Sequence, residues 1–295
     1  MTNKQQDPRM YLMRITDSSS PQMHKLMLVL RYLLMIFVTA IMVGPFLWLA
    51  YLSVRMTGNI YTWPEAWSDF SLRSYLFVWN TPEMNIKPAF INSVVVAIVS
   101  VATTVLVASL AAYPLARLEF FGKRIVFMFI LCTLMVPFQL YMIPLFRLVT
   151  QDLRLANTYT GVILPFVASV FGIYLIKQFY ETIPVDLDEA ARVDGAGEFR
   201  LWWQILLPMT KPAMGTLAIF SFVGSWSNFL WPLLVLQADE KMTLPVQIVQ
   251  LSGAFVDRIS YLAAGSVIAI VPVILFFLFL QKWFLGGLTL GSVKG

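Results

Sequence analysis

One polar stretch of the chain, residues 181–211, carries the side chains best suited to chemistry. Carboxylates can act as acids, bases or metal ligands, but such sites usually need a second kind of group. The single histidine and the single cysteine both lie elsewhere, His24 in the N-terminal tail and Cys132 in an apolar block. The residues therefore favour a charged contact surface over a zinc site or a Ser-His-Asp triad. Besides Glu181 at its start, the carboxylates of the stretch are Asp186, Asp188, Glu189, Asp194 and Glu198.

The spacing of residues in this stretch predicts two short helices joined at a corner. Pro184 and Asp186 suit a first helical turn, because proline fits there and aspartate can cap free amides. Gly195 and Gly197 then interrupt the helix, since glycine accepts a positive φ. A second helix should follow and end at Pro208. Its apolar residues at near-helical spacing are Phe199, Trp202, Trp203, Leu206 and Leu207.

The corner should present a small surface fringed by the carboxylates, with alanines at its centre that allow close approach. Such a surface suits a groove on a partner protein. The alternative is an interfacial helix lying on lipid. Anionic headgroups would repel the acidic cluster, so we favour the protein partner.

The elements that must position this loop are membrane spans. The chain is 59% hydrophobic and 13% charged, whereas soluble domains are nearer half apolar and a quarter charged. A helix needs about 20 apolar residues to cross the hydrocarbon. Six blocks qualify without any Asp, Glu, Lys or Arg, and the prolines within them are expected to act as kinks. The blocks are Tyr32–Ser53, Ser93–Leu115, Ile125–Leu145, Thr158–Ile176, Ala213–Leu236 and Leu262–Leu280. The first is better interpreted as an uncleaved span than as a secretory signal, because it is longer than a signal core.

Lys and Arg are distributed unevenly about these spans. Fourteen fall on the tails and the connections after the second and fourth spans, and seven fall on the other connections. The positive-inside rule then places both termini in the cytoplasm. The net charge of +5 has the same explanation and does not indicate nucleic-acid binding. The expected organisation is tail 1–31, a six-helix domain 32–285 with cytoplasmic loop 181–211 and external loop 237–261, and tail 286–295.

Polar residues inside the spans should face protein or a cavity. Aromatic faces stack on sugar rings and amides exchange hydrogen bonds with hydroxyls, which makes these residues candidates for a substrate pathway. The alternative is that Ser and Asn join helices together. The candidates are Gln139, Ser225, Trp226, Ser227, Asn228 and Trp231.

The loop residues match a known pattern. Glu189-Ala190-Ala191, Gly195, Ile205 and Leu207-Pro208 stand at every spaced position of the EAA loop of bacterial ABC importer permeases. Over nearly its whole length the chain resembles maltose-type carbohydrate permeases, and within them the smaller six-span partner. Its Ser227-Asn228 departs from the Asn and acidic residue that many relatives carry there. Other matching motifs are Asn92-Ser93, Ala111-Ala112-Tyr113 with Ala116-Arg117, Asn157-Thr158-Tyr159, Trp231-Pro232-Leu233, Thr243-Leu244-Pro245 and Gly291–Gly295.

The resemblance implies an all-α ABC importer type I permease fold in a bacterial inner membrane. It implies that the chain is a transport subunit and not an enzyme, and that it binds no cofactor itself. The expected partners are a second permease subunit, two ATPase domains that bind ATP and Mg²⁺, an extracytoplasmic solute-binding protein, lipid, and a sugar or sugar-like solute. The main substrate site then lies on this subunit or on the second permease.

The resemblance also assigns roles to residues. Glu189, Ala190, Ala191, Asp194 and Gly195 would dock on the ATPase. Ile205, Leu207 and Pro208 would brace this element against the membrane helices. The tail Gly291–Gly295 would reach the ATPase pair, and the loop Gln237–Tyr261 would contact the solute-binding protein.

Two other function classes remain to be weighed. A secondary transporter would predict charged residues inside the spans and inverted repeats. An intramembrane enzyme would need a His, Ser or Asp constellation at membrane depth. The sequence shows neither clearly, and it lacks the G-x-x-x-x-G-K-[ST] phosphate loop, so an importer driven by a separate ATPase fits best.

Overall fold

The computed structural model describes residues 21–55, 69–254 and 259–291. It divides into two compact units, Met1–Leu52 and Ser53–Gly295. Among the described residues the backbone is almost entirely helical, and the one isolated β-bridge joins Arg55 to Phe70. An all-α chain is therefore confirmed for the described part.

The described part of the first unit is a single helix, α1, which runs over Pro21–Val54 and so ends just inside the second unit. It begins well before the predicted span at Tyr32, because Pro21 suits a first helical turn and neither glycine nor proline follows it before Gly44. Most of its large apolar side chains are exposed. The rings of Trp48 and Tyr51 stack at 5.2 Å between centroids.

The second unit holds the remaining helices. A short helix α2 spans Arg73–Asn80, and the long helix α3 spans Ile86–Arg117. Further helices are α4 Lys123–Met135, α5 Phe138–Asp152, α6 Tyr159–Phe166, α7 Val170–Thr182, α8 Asp186–Val193 and α9 Glu198–Met209. The last are α10 Lys211–Trp226, α11 Leu230–Val235, α12 Leu244–Ala254 and α13 Ile259–Gly291.

Three described helices are long and apolar enough to cross a membrane unaided, namely α1, α3 and α13. Three further pairs meet the same test together but are bent at a short break. They are α4 with α5 at 98°, α6 with α7 at 47°, and α9 with α10 at 79°. Counting each pair as one span gives six, the number that the sequence predicts, but the third pair does not match the predicted fifth span. Helix α9 lies in the predicted loop 181–211, and α10 with α11 covers the predicted span Ala213–Leu236.

The bends exceed the kinks expected from proline. The predicted third span breaks at Val136 and Pro137, which are both extended, because a residue before proline avoids the helical region and proline has no amide to donate. The predicted fourth span is interrupted before Ser169, whose hydroxyl accepts a hydrogen bond from the Gly172 amide and starts α7. The predicted fifth span, Ala213–Leu236, is also divided, since α10 ends at Trp226 and α11 begins at Leu230.

Helix α3 is the centre of the second unit and packs most extensively against α7 and α10. Close approach requires a glycine, because a Cβ on Gly172 of α7 would lie 2.9 Å from Leu217 Cδ1 of α10 and 3.1 Å from Ala108 Cβ of α3. Three apolar cores include residues of α3. The first joins it to α7, α8, α9 and α10, the second to α2, α10, α12 and α13, and the third to α5, α6 and α11.

Candidate functional site

Helices α8 and α9 form the two arms of a corner, as the sequence predicts. The corner is Gly195, whose φ of +77° lies in the left-handed region. The amides of Gly195 and Ala196 bond back to the carbonyl oxygens of Arg192 and Ala191, at 3.0 and 2.9 Å, which closes the end of α8. We call the two arms and this corner the elbow.

The outer side of the elbow is an exposed surface of mixed acidic and apolar character. Val193 is 88% and Phe199 71% exposed, far more than a side chain packed on its own chain would be. We call this side the elbow surface. Its members are Val185, Asp186, Leu187, Glu189, Ala190, Val193, Asp194, Gly195 and Phe199, all of them exposed.

Asp188 is a correction to the expected acidic fringe. Its carboxylate is buried, with Oδ2 2.9 Å from Nε of Arg117 at the end of α3. Burial raises the pKa of Asp188, and the Arg117 guanidinium opposes that rise. Ala191, one turn further on, is also buried and packs in the core beside α3 and α7. Both residues therefore support the elbow from inside.

Glu198 stays exposed, as expected for the acidic fringe, but it also bonds to the other arm and to α3. Arg192 donates to its Oε1 at 3.1 Å and to its Oε2 at 3.3 Å, and the hydroxyl of Tyr113 on α3 also donates to Oε2. The hydrogen bonds from Arg192 and from Tyr113 lower the pKa of Glu198 below its ordinary value. Glu198 thus joins the two arms to each other and to α3.

The residues expected to brace the elbow divide into two groups. Ile205 and Leu207 pack against the core, while Pro208 is exposed. The most buried side chains of α9 are others, namely Leu201, Trp202 and Leu206. The middle of α9, Leu201–Leu206, is a π-helix, which alters the spacing of inward side chains from the regular helical pattern.

An open cleft of about 830 Å³ lies among α3, the two bent pairs α4–α5 and α6–α7, and α10. Its wall combines aromatic rings with small polar groups. The aromatic members are Phe138, Tyr141, Phe166, Phe171 and Phe220, and the polar members are Ser100, Thr104, Thr133, Ser169, Ser221, Ser225 and Asn228.

Only two of the predicted pathway residues, Ser225 and Asn228, line this cleft. Gln139 is exposed and Ser227 is exposed, and neither lines it. Sequence reasoning missed five polar members, namely Ser100, Thr104, Thr133, Ser169 and Ser221. A spacing of four residues inside an apolar block could have indicated three of them, since Ser100 precedes Thr104 on α3 and Ser221 precedes the predicted Ser225 on α10 by four residues.

The two tryptophans of the predicted pathway are buried and do not line the cleft. Trp226 donates from Nε1 to the carbonyl oxygen of Ala269 at 2.9 Å, and Trp231 donates from Nε1 to that of Gly161 at 3.1 Å. Trp231 stands edge-on to Phe138 and Phe166, with centroids 6.0 and 6.1 Å away. It supports the cleft wall from behind, so direct stacking on a sugar is not its role here.

The loop between α11 and α13 is held at its base by polar residues that the motifs singled out. Asn92 of α3 donates from its amide to the carbonyl oxygens of Glu240 and Met242, at 2.8 and 3.0 Å. Ser93 accepts a hydrogen bond from the Leu244 amide at 2.7 Å. Asn157, with φ +55°, accepts from the amides of Gln237 and Ala238.

Two expected contact regions can be described only in part. Residues 292–295 of the C-terminal motif lie outside the described residues, as do residues 1–20 of the N-terminal tail. Residues 255–258 of the loop Gln237–Tyr261 lie outside them too.

Comparison with known proteins gives a family match over more than half of the chain. Residues 104–288 match the family described as binding-protein-dependent transport system inner membrane component. That match covers the end of α3 from Thr104, the cleft helices after it, the elbow, and most of α13.

Individual relatives are similar over most of their lengths. The arabinooligosaccharides transport system permease protein AraQ of Bacillus subtilis strain 168 is 41% identical over 225 residues, 76% of this chain and 79% of that protein. The lactose transport system permease protein LacG of Rhizobium radiobacter is 34% identical over 254 residues, 85% of this chain and 90% of that protein.

A solved structure shares the fold. It is a chain of a bacterial ABC transporter involved in the import of the acidic polysaccharide alginate, with a TM-score of 0.77. It covers 90% of this chain and 99% of its own length at 24% identity.

Proposed function

Because the chain belongs to the binding-protein-dependent transport system inner membrane component family, we propose that it forms half of the pathway of a sugar importer and couples to a separate ATPase through the elbow surface. It is a multi-pass membrane transport subunit and not an enzyme. A permease of this kind works with a second permease, an ATPase and a solute-binding protein. ATP and Mg²⁺ would be bound by the ATPase.

The observation that carries the coupling assignment is the two-sided elbow. Its inner side is fixed to α3 by Arg117 and Tyr113, while its outer side leaves Val193 and Phe199 exposed. Apolar side chains at a corner, rimmed by Glu189 and Asp194, are suited to insertion into a cleft on a partner protein. The rim carboxylates would favour a basic edge on that cleft.

The distribution of Lys and Arg supports an orientation with the elbow and both termini in the cytoplasm. The base of the Gln237–Tyr261 loop is bonded to Asn92, near the opposite end of α3 from Arg117. That loop would then face outward, where a solute-binding protein delivers its cargo.

The cleft supports passage of a sugar-like solute. Aromatic rings offer apolar faces to a pyranose, and hydroxyl and amide groups such as Ser225 and Asn228 exchange hydrogen bonds with its hydroxyls. The relatives carry names that refer to arabinooligosaccharides and lactose, so these two and the diacetylchitobiose of a third relative form a first substrate panel.

Reconstitution into proteoliposomes tests the proposal. The chain is combined with the second permease, the ATPase and the solute-binding protein, with ATP and Mg²⁺ on the ATPase side, and uptake of each labelled sugar is measured. We expect uptake of at least one sugar that stops when any one component is omitted. Uptake by the chain alone, driven by a proton or sodium gradient, would instead identify a secondary transporter.

A further inference from the structure

The last turn of α3 carries two polar side chains that reach different arms of the elbow. Tyr113 and Arg117 are four residues apart and so lie on one face of the helix. Arg117 pairs with Asp188 of α8 at 2.9 Å and donates from Nη2 to the carbonyl oxygen of Ile183, also at 2.9 Å. Tyr113 donates to Glu198 of α9.

The two arms are also joined to each other. Arg192, near the end of α8, donates to both oxygens of Glu198 at the start of α9. The contacts therefore close a loop from α3 to one arm, across to the second arm, and back to α3. We call this set, Tyr113, Arg117, Asp188, Arg192 and Glu198, the clamp.

A buried ion pair is a costly way to hold two helices together. The side chains of Arg117 and Asp188 are 4% and 1% exposed, and neither Nε of Arg117 nor Oδ1 of Asp188 has a hydrogen-bond partner among the described residues. Apolar side chains of similar volume would pack at least as favourably. Apolar contacts already join the elbow to α3 around Ala191 and Leu201. What the polar contacts add is direction and register, through the hydrogen bonds from Arg117 to Ile183 and from Tyr113 to Glu198.

The opposite end of α3 is bonded to a different functional element. Asn92 and Ser93 hold the base of the loop that contains Glu240, Met242 and Leu244. Helix α3 has 32 residues, which corresponds to a rod of about 48 Å at 1.5 Å per residue. One helix thus makes directional contacts with the elbow at one end and with the outward loop at the other.

We propose that Arg117 and Tyr113 are positioning residues for coupling, through which movement of the elbow is passed to α3. The proposal rests on the proposed function of the elbow. The clamp makes α3 follow both arms when the ATPase moves them, and α3 carries that movement along the cleft wall through Ser100 and Thr104 to the outward loop. Without the clamp, the elbow still docks on the ATPase. Its movement then reaches α3 only through apolar contacts, which are not directional and allow the elbow to shift along α3.

The reconstituted importer tests this through the amount of sugar imported per ATP hydrolysed, measured per assembled complex. For Arg117→Met we expect a complex that assembles and hydrolyses ATP but imports about tenfold less sugar per ATP, within the range typical of coupling between sites. Tyr113→Phe should lower the ratio by a smaller factor. The matched control is Lys123→Met, which removes an equal charge that forms an ion pair with the exposed Glu119, outside the clamp.

Arg117→Met has two effects, since it breaks the clamp and also leaves the buried Asp188 carboxylate without its cation. The double variant Arg117→Met with Asp188→Leu removes the second effect and keeps the first. We expect it to restore the amount of complex but not the sugar imported per ATP. Full recovery of the sugar imported per ATP in the double variant would overturn the proposal. So would a single variant Arg117→Met that forms less complex but imports as much sugar per ATP as wild type. Failure of the wild-type importer to use ATP would instead contradict the proposed function, so the two failures are distinguishable.

Discussion

The hydroxyl of Tyr159 donates a hydrogen bond of 2.8 Å to the side-chain oxygen of Asn92, which lies 67 residues earlier in the chain. The amide nitrogen of the same Asn92 donates to the carbonyl oxygens of Glu240 and Met242. One buried asparagine therefore joins α3, α6 and the base of the Gln237–Tyr261 loop. All three partners are at least 67 residues away from Asn92 in sequence, so the network forms only in the folded chain.

We expect Asn92→Asp to loosen this loop. The substitution keeps the acceptor for Tyr159 but places a carboxylate against two carbonyl oxygens, with a loss of about 1–3 kcal/mol in the free energy of unfolding. A lower temperature of thermal unfolding in detergent would show the lost stability, and faster limited proteolysis after Lys241 would show the looser loop. Asn80→Asp is the matched control, since Asn80 is exposed and bonds only Leu76 of its own helix. Equal effects of both substitutions would contradict the role given to Asn92.

Gly195→Ala should weaken association with the ATPase. The φ of +77° at Gly195 costs an L-residue about 1–2 kcal/mol, although no atom lies within 4 Å of the added Cβ. Gly197→Ala has equally open surroundings but a φ of −74°, and we expect it to behave as wild type. Co-purification of the ATPase at rising salt measures the difference. Gly195→Pro should have a larger effect, because proline fixes φ near −65°.

Glu189→Lys should reduce ATP-driven uptake strongly while expression persists. Glu189 lies on the exposed side of α8, so reversal of its charge leaves the fold intact and opposes a basic edge on the partner. Glu119→Lys, at a side chain 92% exposed outside the elbow, is the control and should import normally. Normal uptake by Glu189→Lys would remove this residue from the docking surface.

Filling the cleft should block uptake without affecting assembly. Gly224 lines the cleft, and no atom lies within 4 Å of a Cβ placed on it, so Gly224→Phe projects a ring into open space. Its neighbour Val223 is 37% exposed and does not line the cleft, which makes Val223→Phe the matched control. Uptake of the identified sugar is the readout. Undiminished uptake by Gly224→Phe would exclude this cleft as the pathway.

Glu198 should stabilise the elbow at neutral pH and lose that effect in acid. A pKa below the ordinary 4.5 means that the folded state binds fewer protons than the unfolded state near that pH. Its contribution is therefore present above about pH 4.5 and is lost as the pH falls through the lower folded value. Because the pair with Arg192 is partly exposed, the contribution is less than about 1 kcal/mol. The Tm difference between wild type and Glu198→Gln should narrow as the pH falls from 7 to below 4; a constant difference would contradict this.

The local features of the elbow could be predicted from the sequence, but its inner contacts could not. Proline, aspartate and glycine act on their own backbone, so the two helices and the corner at Gly195 followed from neighbouring residues. Asp188 was expected on the outer fringe but is buried, and the inner bonds of the exposed Glu198 were not foreseen. Their partners on α3, Arg117 and Tyr113, are distant in sequence. The one local sign of an inward side chain was the spacing of Asp188, which lies three residues before Ala191 and so shares its helix face.

The membrane spans show the same limit. Length and hydropathy located the apolar blocks, but they do not determine whether a proline bends a helix slightly or ends it. At Pro137 the chain turns by 98°, and that turn places Phe138 on the cleft wall. Trp231 was expected in the pathway because its ring suits a sugar. The structure instead encloses it behind Phe138 and Phe166, a packing arrangement that no local pattern predicts.

Site-directed cross-linking of the elbow to the ATPase tests the central claim most directly. The exposed Cys132, the chain's one cysteine, is first replaced by serine, and Ala190→Cys is then introduced. Single cysteines are placed along the cleft of the ATPase, and the assembled importer is treated with a short thiol cross-linker. We predict a cross-link from Ala190→Cys that changes in yield when ATP is added, and none from Asp239→Cys in the opposite loop. A cross-link from Asp239→Cys with none from Ala190→Cys would contradict the account.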